Sequence, residues 1–163
     1  MSNVQIKKID KHDLSQLEKV YISTIKQEFP EYSHNISNHF ISDKYKTYMF
    51  EHEYLLGAYV DTNLVGYLIA GKEFGGVIFI SWIAVLHDFQ GKGIGYMLLQ
   101  ELEKIAIEKG VHALQLEADK RNIAYYEKHG WKVFGQNKNG YFGLENYHLQ
   151  KDIQMPLEEN YLR

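Results

Sequence analysis

The first third of the chain changes from strand periodicity to helical periodicity. The weak alternation from Val4 to Ile9 predicts an opening strand. Asp13 is a plausible N-cap for a helix to about Phe29, because the apolar residues then follow the helical period: Leu14, Leu17, Tyr21 and Ile25. Pro30 ends that helix. The polar and aromatic stretch from Glu31 to Phe50 predicts a second helix with a mobile loop before it.

The middle of the chain predicts a hairpin followed by a central strand. Tyr54 to Tyr59 and Leu64 to Ala70 are the predicted hairpin strands, and the residues between them favour a turn. Gly75 and Gly76 make another turn. The next segment, Val77 to Leu86, is apolar at nearly every position, which is typical of a strand buried on both faces at the centre of a sheet.

The remaining elements alternate helix and strand before two final strands. One apolar face predicts a helix from about Gly93 to Lys109, with Gly110 after its end. Four shorter elements follow: a strand at Ala113 to Ala118, a helix at Ile123 to His129, and strands at Trp131 to Phe134 and Tyr141 to Ile153. The order β-α-α-β-β-β-α-β-α-β-β predicts an α/β sandwich with a mixed sheet, not a fully parallel doubly wound sheet.

Composition narrows the class of protein. A chain of 163 residues predicts a single domain over residues 1–163. The net charge of −3 argues against nonspecific nucleic-acid binding, and the absence of Cys excludes disulfides and thiolate metal ligands. No stretch approaches the length of a membrane span, so a cytoplasmic globular protein that does not act at a membrane is expected. Three histidines lack metal-ligand spacing, and we predict no metal site: His34, His39 and His52.

The sharpest sequence feature is a glycine-rich turn, QGKGIG, from Gln90 to Gly95. Glycines let a backbone turn tightly and approach a ligand closely, and the N-terminus of the following helix favours an anion such as a pyrophosphate. Lys92 could add a cation at the rim. The plain alternative is an ordinary strand-to-helix turn. The glycine spacing matches neither the P-loop nor the G-x-G-x-x-G of dinucleotide-binding domains.

Two ordered motifs resemble the GNAT acetyltransferase superfamily. Ile83 to Gly95, IAVLHDFQGKGIG, is similar to its Q/R-x-x-G-x-G/A motif after a central strand. Tyr126 to Trp131, YEKHGW, is similar to its Y-E-K-x-G-F segment, and Tyr147 to Ile153 is similar to its last strand. The resemblance covers nearly the whole chain. It implies a mixed, mostly antiparallel central sheet flanked by helices, and acetyl-CoA as co-substrate.

The resemblance also implies roles for particular residues. The backbone of Ile83 and Val85 would pair with pantetheine where the central strand splays from its neighbour. The pyrophosphate would lie against six consecutive residues: Gln90, Gly91, Lys92, Gly93, Ile94 and Gly95. Either Asp119 or Asn122 would cap the following helix or contact the pantetheine arm. Tyr126 would protonate the departing thiolate, against the alternative that it only packs on its helix beside Tyr125.

The residue that deprotonates the amine stays open. Relatives often carry a carboxylate on the central strand near the position of Ser81, but this strand has none. The remaining carboxylate candidates are Glu117, Glu28 and Glu31, and a water chain is the other option. The acceptor pocket is also open, since four aromatic residues could line it or could belong to the core: Phe40, Tyr45, Tyr48 and Phe50.

Two functions follow from these residues. The first is an enzyme that transfers an acetyl group from acetyl-CoA to a primary amine, on a small molecule or a peptide, by direct attack in a ternary complex. The second is a catalytically silent acyl-CoA-binding regulatory or sensor domain, which the missing strand carboxylate favours and the retained Tyr126 opposes. A homodimer is possible.

Overall fold

A computed structural model describes residues 3–28 and 34–161 of the chain. Seven strands and six helices are present in these ranges. In chain order they are β1 (Val4–Lys8), α1 (Leu14–Glu28), α2 (His34–Phe40), α3 (Asp43–Phe50), β2 (Tyr54–Val60), β3 (Asn63–Ala70), β4 (Val77–Val85), α4 (Ile94–Glu108), β5 (Ala113–Ala118), α5 (Ile123–Lys128), β6 (Lys132–Asn137), β7 (Asn146–Asp152) and α6 (Glu158–Tyr161).

The strands form one sheet in the order β1-β2-β3-β4-β5-β7-β6. The pairs β1–β2, β2–β3, β5–β7 and β6–β7 are antiparallel, whereas β4 and β5 are parallel. A parallel neighbour needs a crossover, and α4 supplies it. The predicted mixed and mostly antiparallel sheet with flanking helices is therefore confirmed.

The predicted helix between Glu31 and Phe50 differs from the structure, because two short helices occupy its described part. Ser42 separates them. Its hydroxyl donates to the carbonyl of His39 at 2.7 Å and accepts from the N–H of Tyr45 at 3.4 Å. The extended backbone at Ser42 therefore ends α2 and caps α3. Phe29, Pro30 and Glu31 lie outside the described residues. The C-terminal α6 was not predicted.

The chain divides into two compact units, and the prediction of a single domain stays a prediction. The first unit comprises residues 1–70 and 82–101, and the second comprises residues 71–81 and 102–163. In the first unit, one face of α1 packs with residues of β3 in a buried cluster. The helix contributes Leu17, Tyr21 and Ile25, and the strand contributes Tyr67 and Ile69. Asp13 precedes α1 as expected, and its carboxylate accepts a hydrogen bond from the Tyr59 hydroxyl at 2.8 Å.

In the second unit, β4 and β5 pair from Val77 with Ala113 to Ile80 with Leu116. Ile78 and Ile80 are buried, but Phe79 between them is 42% exposed. The prediction that Val77 to Leu86 is buried on both faces is therefore wrong for one face. Phe79 pairs with Gln115, so that side of the sheet carries polar neighbours instead of a second apolar layer.

Candidate functional site

The glycine-rich turn after β4 has the backbone that its glycines allow. A short 3-10 turn from His87 to Phe89 leads into it, with the Gln90 N–H donating to the His87 carbonyl at 3.1 Å. Gly91 and Gly93 have φ angles of +72° and +80°, in the left-handed region. A Cβ atom built on either glycine meets no atom within 4 Å. The backbone surface at these two residues is therefore open for a ligand to approach.

The helix α4 begins directly after these glycines. Its first hydrogen bond runs from the Met97 N–H to the Gly93 carbonyl at 3.0 Å. The N–H groups before Met97 therefore lie at the positive end of the helix dipole, where anions are favoured. Buried Ile94 anchors this end. Gly95 lies within the first turn of α4, which agrees with the helix predicted from about Gly93.

Gln90 and Lys92 both bond within the turn itself. The Gln90 Nε2 donates to the Val85 carbonyl at 2.9 Å, which ties the turn to the end of β4. The Lys92 Nζ donates to the Asp88 carbonyl at 2.8 Å and lies 5.1 Å from the centre of the Phe89 ring. The Lys92 side chain therefore lies along the turn, and its role as a cation for a ligand stays a prediction.

At the end of β4, one of the two hydrogen-bonding edges of the strand faces away from β3. The Leu86 N–H donates to the Val65 carbonyl of β3 at 2.9 Å. Peptide groups of successive residues in an extended chain point to opposite edges, so those of Val85 and Ile83 point away from β3. The Val85 carbonyl takes the Gln90 amide there. The parallel ladder to β5 ends at Ile80, before either residue is reached.

Tyr126 lies in the second unit, on α5. It is only 7% exposed, whereas the adjacent Tyr125 is 40% exposed. The Tyr126 ring packs edge-on against Trp131, with 5.8 Å between ring centres. Tyr125 instead stacks edge-on with His129 at 4.9 Å. The two tyrosines are therefore in different environments, with Tyr126 packed among neighbouring side chains and Tyr125 more exposed to solvent.

The two candidates before α5 do not cap it. The Asp119 carboxylate pairs with Arg121 at 3.2 Å and makes no capping hydrogen bond. The Asn122 side chain makes no capping bond either and is exposed to solvent. Of the two roles expected for one of these residues, helix capping is therefore not seen, and the backbone N–H of Asn122 instead donates to the Asp119 carbonyl at 2.9 Å. Contact of Asn122 with a cofactor stays a prediction.

Glu117 is the one candidate base whose side chain the structure describes. It lies near the end of β5 and is 20% exposed. One carboxylate oxygen accepts from the Asn146 amide, and the other lies 3.3 Å from Nδ1 of His148. Sequence reasoning missed His148, because only the pairing register of β5 with β7 places it opposite Glu117. The Glu28 side chain and all of Glu31 lie outside the described part.

The four aromatic residues proposed for an acceptor pocket have different environments. Phe40 is buried in the core of the first unit, with its ring centre 5.2 Å from that of Trp82. Phe50 packs edge-on against Tyr21. Tyr45 is half-buried, and Tyr48 is exposed. Phe40, Tyr45 and Phe50 therefore pack in or against the core, and of the four only Tyr48 is exposed.

Residues 3–28 and 34–161 contain no group of three or more His, Cys, Asp or Glu side chains that could hold a metal ion. Within the same ranges, no helix has both the length and the apolar character that crossing a membrane requires.

The comparisons with known proteins identify the family. A family model described as the acetyltransferase (GNAT) family matches residues 18–131. The chain belongs to this family. It is 34% identical over 87 residues to the glucosamine 6-phosphate N-acetyltransferase of Candida albicans, covering 47% of this chain and 58% of that enzyme. The matches to curated relatives span about half of those relatives' length.

Solved GNAT structures share the fold. The PaiA N-acetyltransferase of Thermoplasma acidophilum, in complex with coenzyme A, superposes with a TM-score of 0.80 at 24% identity. That match covers 92% of this chain and 99% of the other. An aminoglycoside 6'-N-acetyltransferase complexed with coenzyme A gives 0.74 at 18% identity, covering 94% and 99%. At these identities the likeness establishes the GNAT fold.

Proposed function

We propose that this GNAT protein transfers an acetyl group from acetyl-CoA to a primary amine. The observation that carries the proposal is the open turn at Gly91 and Gly93 followed by the start of α4. Two left-handed glycines and a helix N-terminus together offer backbone N–H groups to a diphosphate. Two structures with the same fold were determined with coenzyme A.

Two parts of the cofactor, the diphosphate and the pantetheine arm, are held by backbone and side-chain groups. The segment Gln90 to Gly95 binds the diphosphate, with Lys92 as the cation at its rim. The backbone of Ile83 and Val85 pairs with pantetheine along the edge of β4 that points away from β3. Asn122, exposed before α5, contacts the pantetheine arm. The binding surface is thus mostly backbone, which is why the glycines and the strand edge facing away from β3 matter more than charge.

Direct attack accounts for the chemistry with few groups. Acetyl-CoA supplies an activated acyl carbon whose leaving group is a thiolate. The neutral amine nitrogen bonds to that carbon, the carbon–sulfur bond breaks, and the nitrogen loses one proton. Tyr126 donates its phenolic proton to the sulfur and regains one from solvent, so the products are an amide and a thiol. The protein mainly aligns the two substrates in a ternary complex.

A catalytically silent acyl-CoA-binding regulatory or sensor domain is the second candidate. One observation favours it: the nine residues of β4, VIFISWIAV, include no carboxylate. The retained Tyr126 supports the enzyme instead, because a phenol at this motif position can act as a proton donor. The two candidates differ in turnover, not in coenzyme A binding.

The acceptor is a small-molecule or peptide amine. Family relatives named for glucosamine 6-phosphate and for aminoglycosides indicate that the GNAT fold serves chemically different amines. The acidic net charge of −3 gives no support to a nucleic-acid partner. A cytoplasmic location and a homodimer stay predictions from the sequence.

The test has two measurements on the same protein. Calorimetry with coenzyme A measures binding, and release of free thiol from acetyl-CoA measures turnover against a panel of primary amines. Amine-dependent thiol release supports the enzyme. Tight coenzyme A binding with no thiol release above the rate without protein supports the silent domain. Absence of coenzyme A binding contradicts both.

A further inference from the structure

The register of β3 is irregular where this strand lies against β2 in the first unit. Ala58 of β2 is opposite Gly66, and Tyr59 is opposite Leu64, so Val65 is one extra residue of β3 between these pairs. An extra residue of this kind is a β-bulge, which bends the strand that carries it and increases its local twist. The bend of β3 therefore lies directly beside Gly66.

The end of β4 comes close to β3 at Gly66, which is buried. A Cβ atom built on Gly66 would lie 3.1 Å from both the Ala84 carbonyl oxygen and Cγ2 of Val85, and 3.5 Å from Cα of Val85. The best separation between two non-bonded carbon atoms is about 3.5–4.0 Å. A methyl group on Gly66 would therefore require Ala84 or Val85 to move by a few tenths of an ångström.

Glycine at this position is required by space and not by backbone conformation. Gly66 does not have a positive φ, unlike Gly91 and Gly93. A glycine inside a strand weakens the strand, and it often marks a place where another backbone approaches closely. The three atoms nearest to a Cβ on Gly66 all belong to β4. The missing side chain is therefore space that the end of β4 uses.

Two hydrogen bonds hold the end of β4 from opposite edges. The Leu86 N–H donates to the Val65 carbonyl on the edge that faces β3. The Gln90 amide donates to the Val85 carbonyl on the other edge. Ala84 is buried in the core cluster of the first unit. A methyl group on β3 would therefore move the Val85 peptide relative to the glycine-rich turn, instead of moving a flexible side chain aside.

We propose that Gly66 is a positioning residue for the pantetheine arm. The inference rests on the proposed acetyl transfer, in which the backbone of Ile83 and Val85 pairs with pantetheine. Because Gly66 has no side chain, β4 lies close against β3 at Val85. The edge that points away from β3 is thereby held at one distance from the turn that binds the diphosphate. Gly66 acts through Val85 and not by contact with a substrate.

The test compares how Gly66→Ala binds the whole cofactor and a fragment of it. Calorimetry measures coenzyme A directly, and it measures ADP, which has a diphosphate but no pantetheine, by displacement of coenzyme A. The Kd of coenzyme A should rise by about tenfold, because hydrogen bonds from β4 to pantetheine are lengthened or lost. The Kd of ADP should stay within about twofold. In the thiol-release assay, KM for acetyl-CoA should rise by more than kcat falls. A general loss of structure would weaken both ligands alike.

The matched control is Gly71→Ala, just beyond the end of β3. A Cβ atom there meets only the Phe79 carbonyl, at 3.9 Å, which is an ordinary contact. This variant should keep both Kd values. If thermal unfolding shows that Gly66→Ala is not folded, the double variant Gly66→Ala/Val85→Ala replaces it. That variant removes the contact with Cγ2 and keeps the contact with the Ala84 carbonyl, so it should show the same selective loss.

The outcomes separate this inference from the proposed function. If a folded Gly66 variant keeps its coenzyme A affinity, or loses ADP affinity equally, Gly66 does not position the arm, while the acetyl transfer stands. An equal loss in Gly71→Ala leads to the same conclusion. If the unmodified protein does not bind coenzyme A, the proposed function itself fails.

Discussion

Alanine at Gly93 should weaken coenzyme A binding at least as much as it weakens the fold. Gly93 has a φ of +80°, and a Cβ atom there meets nothing within 4 Å. The added methyl group therefore causes no clash within the protein. Its effect on stability is the strain of a left-handed backbone, which costs about 1–2 kcal/mol for an L-residue.

The effect on binding is larger because the methyl group projects into the open space of the turn. A diphosphate held at a distance from the N–H groups loses at least one hydrogen bond to a charged group. Such a bond contributes about 1.5–3 kcal/mol. Each 1.4 kcal/mol is about tenfold in affinity, so Kd should rise by about 10- to 100-fold.

Calorimetry with coenzyme A measures the change, and thermal unfolding of the same samples measures the strain. Gly143→Ala is the matched control, because Gly143 has a φ of +75° and equally open surroundings but belongs to a different turn. It should lose similar stability and keep its affinity. An unchanged Kd for Gly93→Ala, or an equal loss in Gly143→Ala, would refute the diphosphate assignment.

Three further predictions concern side chains. Tyr126→Phe should lower kcat by about 10²-fold or more while keeping coenzyme A affinity, and Tyr125→Phe, which faces outward, should change neither in steady-state kinetics. Hydrogen bonds from Glu18 and then Asp43 raise the pKa of Lys46. Because Glu18 is half-exposed, Lys46→Met should lower the free energy of unfolding by only about 1 kcal/mol in urea titrations. Desolvation, and then nearby lysines, lower the pKa of His129, so stability should fall as the pH drops through the imidazole range, and His129→Gln should flatten that dependence in thermal unfolding.

Local patterns predicted the sheet, α4 and the turn because each depends on residues close in sequence. The N-cap at Ser42 was also locally encoded, since serine before an acidic first turn is a common helix start. Recognising it would have divided the predicted second helix correctly. Alternating glycines do not show where the first helical hydrogen bond forms, and that bond at Met97 places Gly95 inside α4.

Contacts between distant segments could not be predicted in this way. Phe40 is buried because it meets Trp82, which lies 42 residues further along the chain in another element. His148 becomes relevant only when the register of β5 with β7 is known, since a shift of one residue would turn it to the opposite face. The exposure of the Phe79 side chain likewise depends on Gln115, its neighbour on the adjacent strand β5.

The bond from Gln90 to the Val85 carbonyl has a consequence for the entropy of binding. Glycines give a chain more conformational freedom than any other residue, so an untethered turn with Gly91 and Gly93 would sample many shapes before a ligand arrived. The Gln90 amide at one end and the first bond of α4 at the other restrict that sampling in the unliganded protein. The loss of backbone conformational entropy when the ligand binds is then smaller. A substitution at Gln90 could therefore slow association and weaken affinity while leaving every backbone N–H group in place.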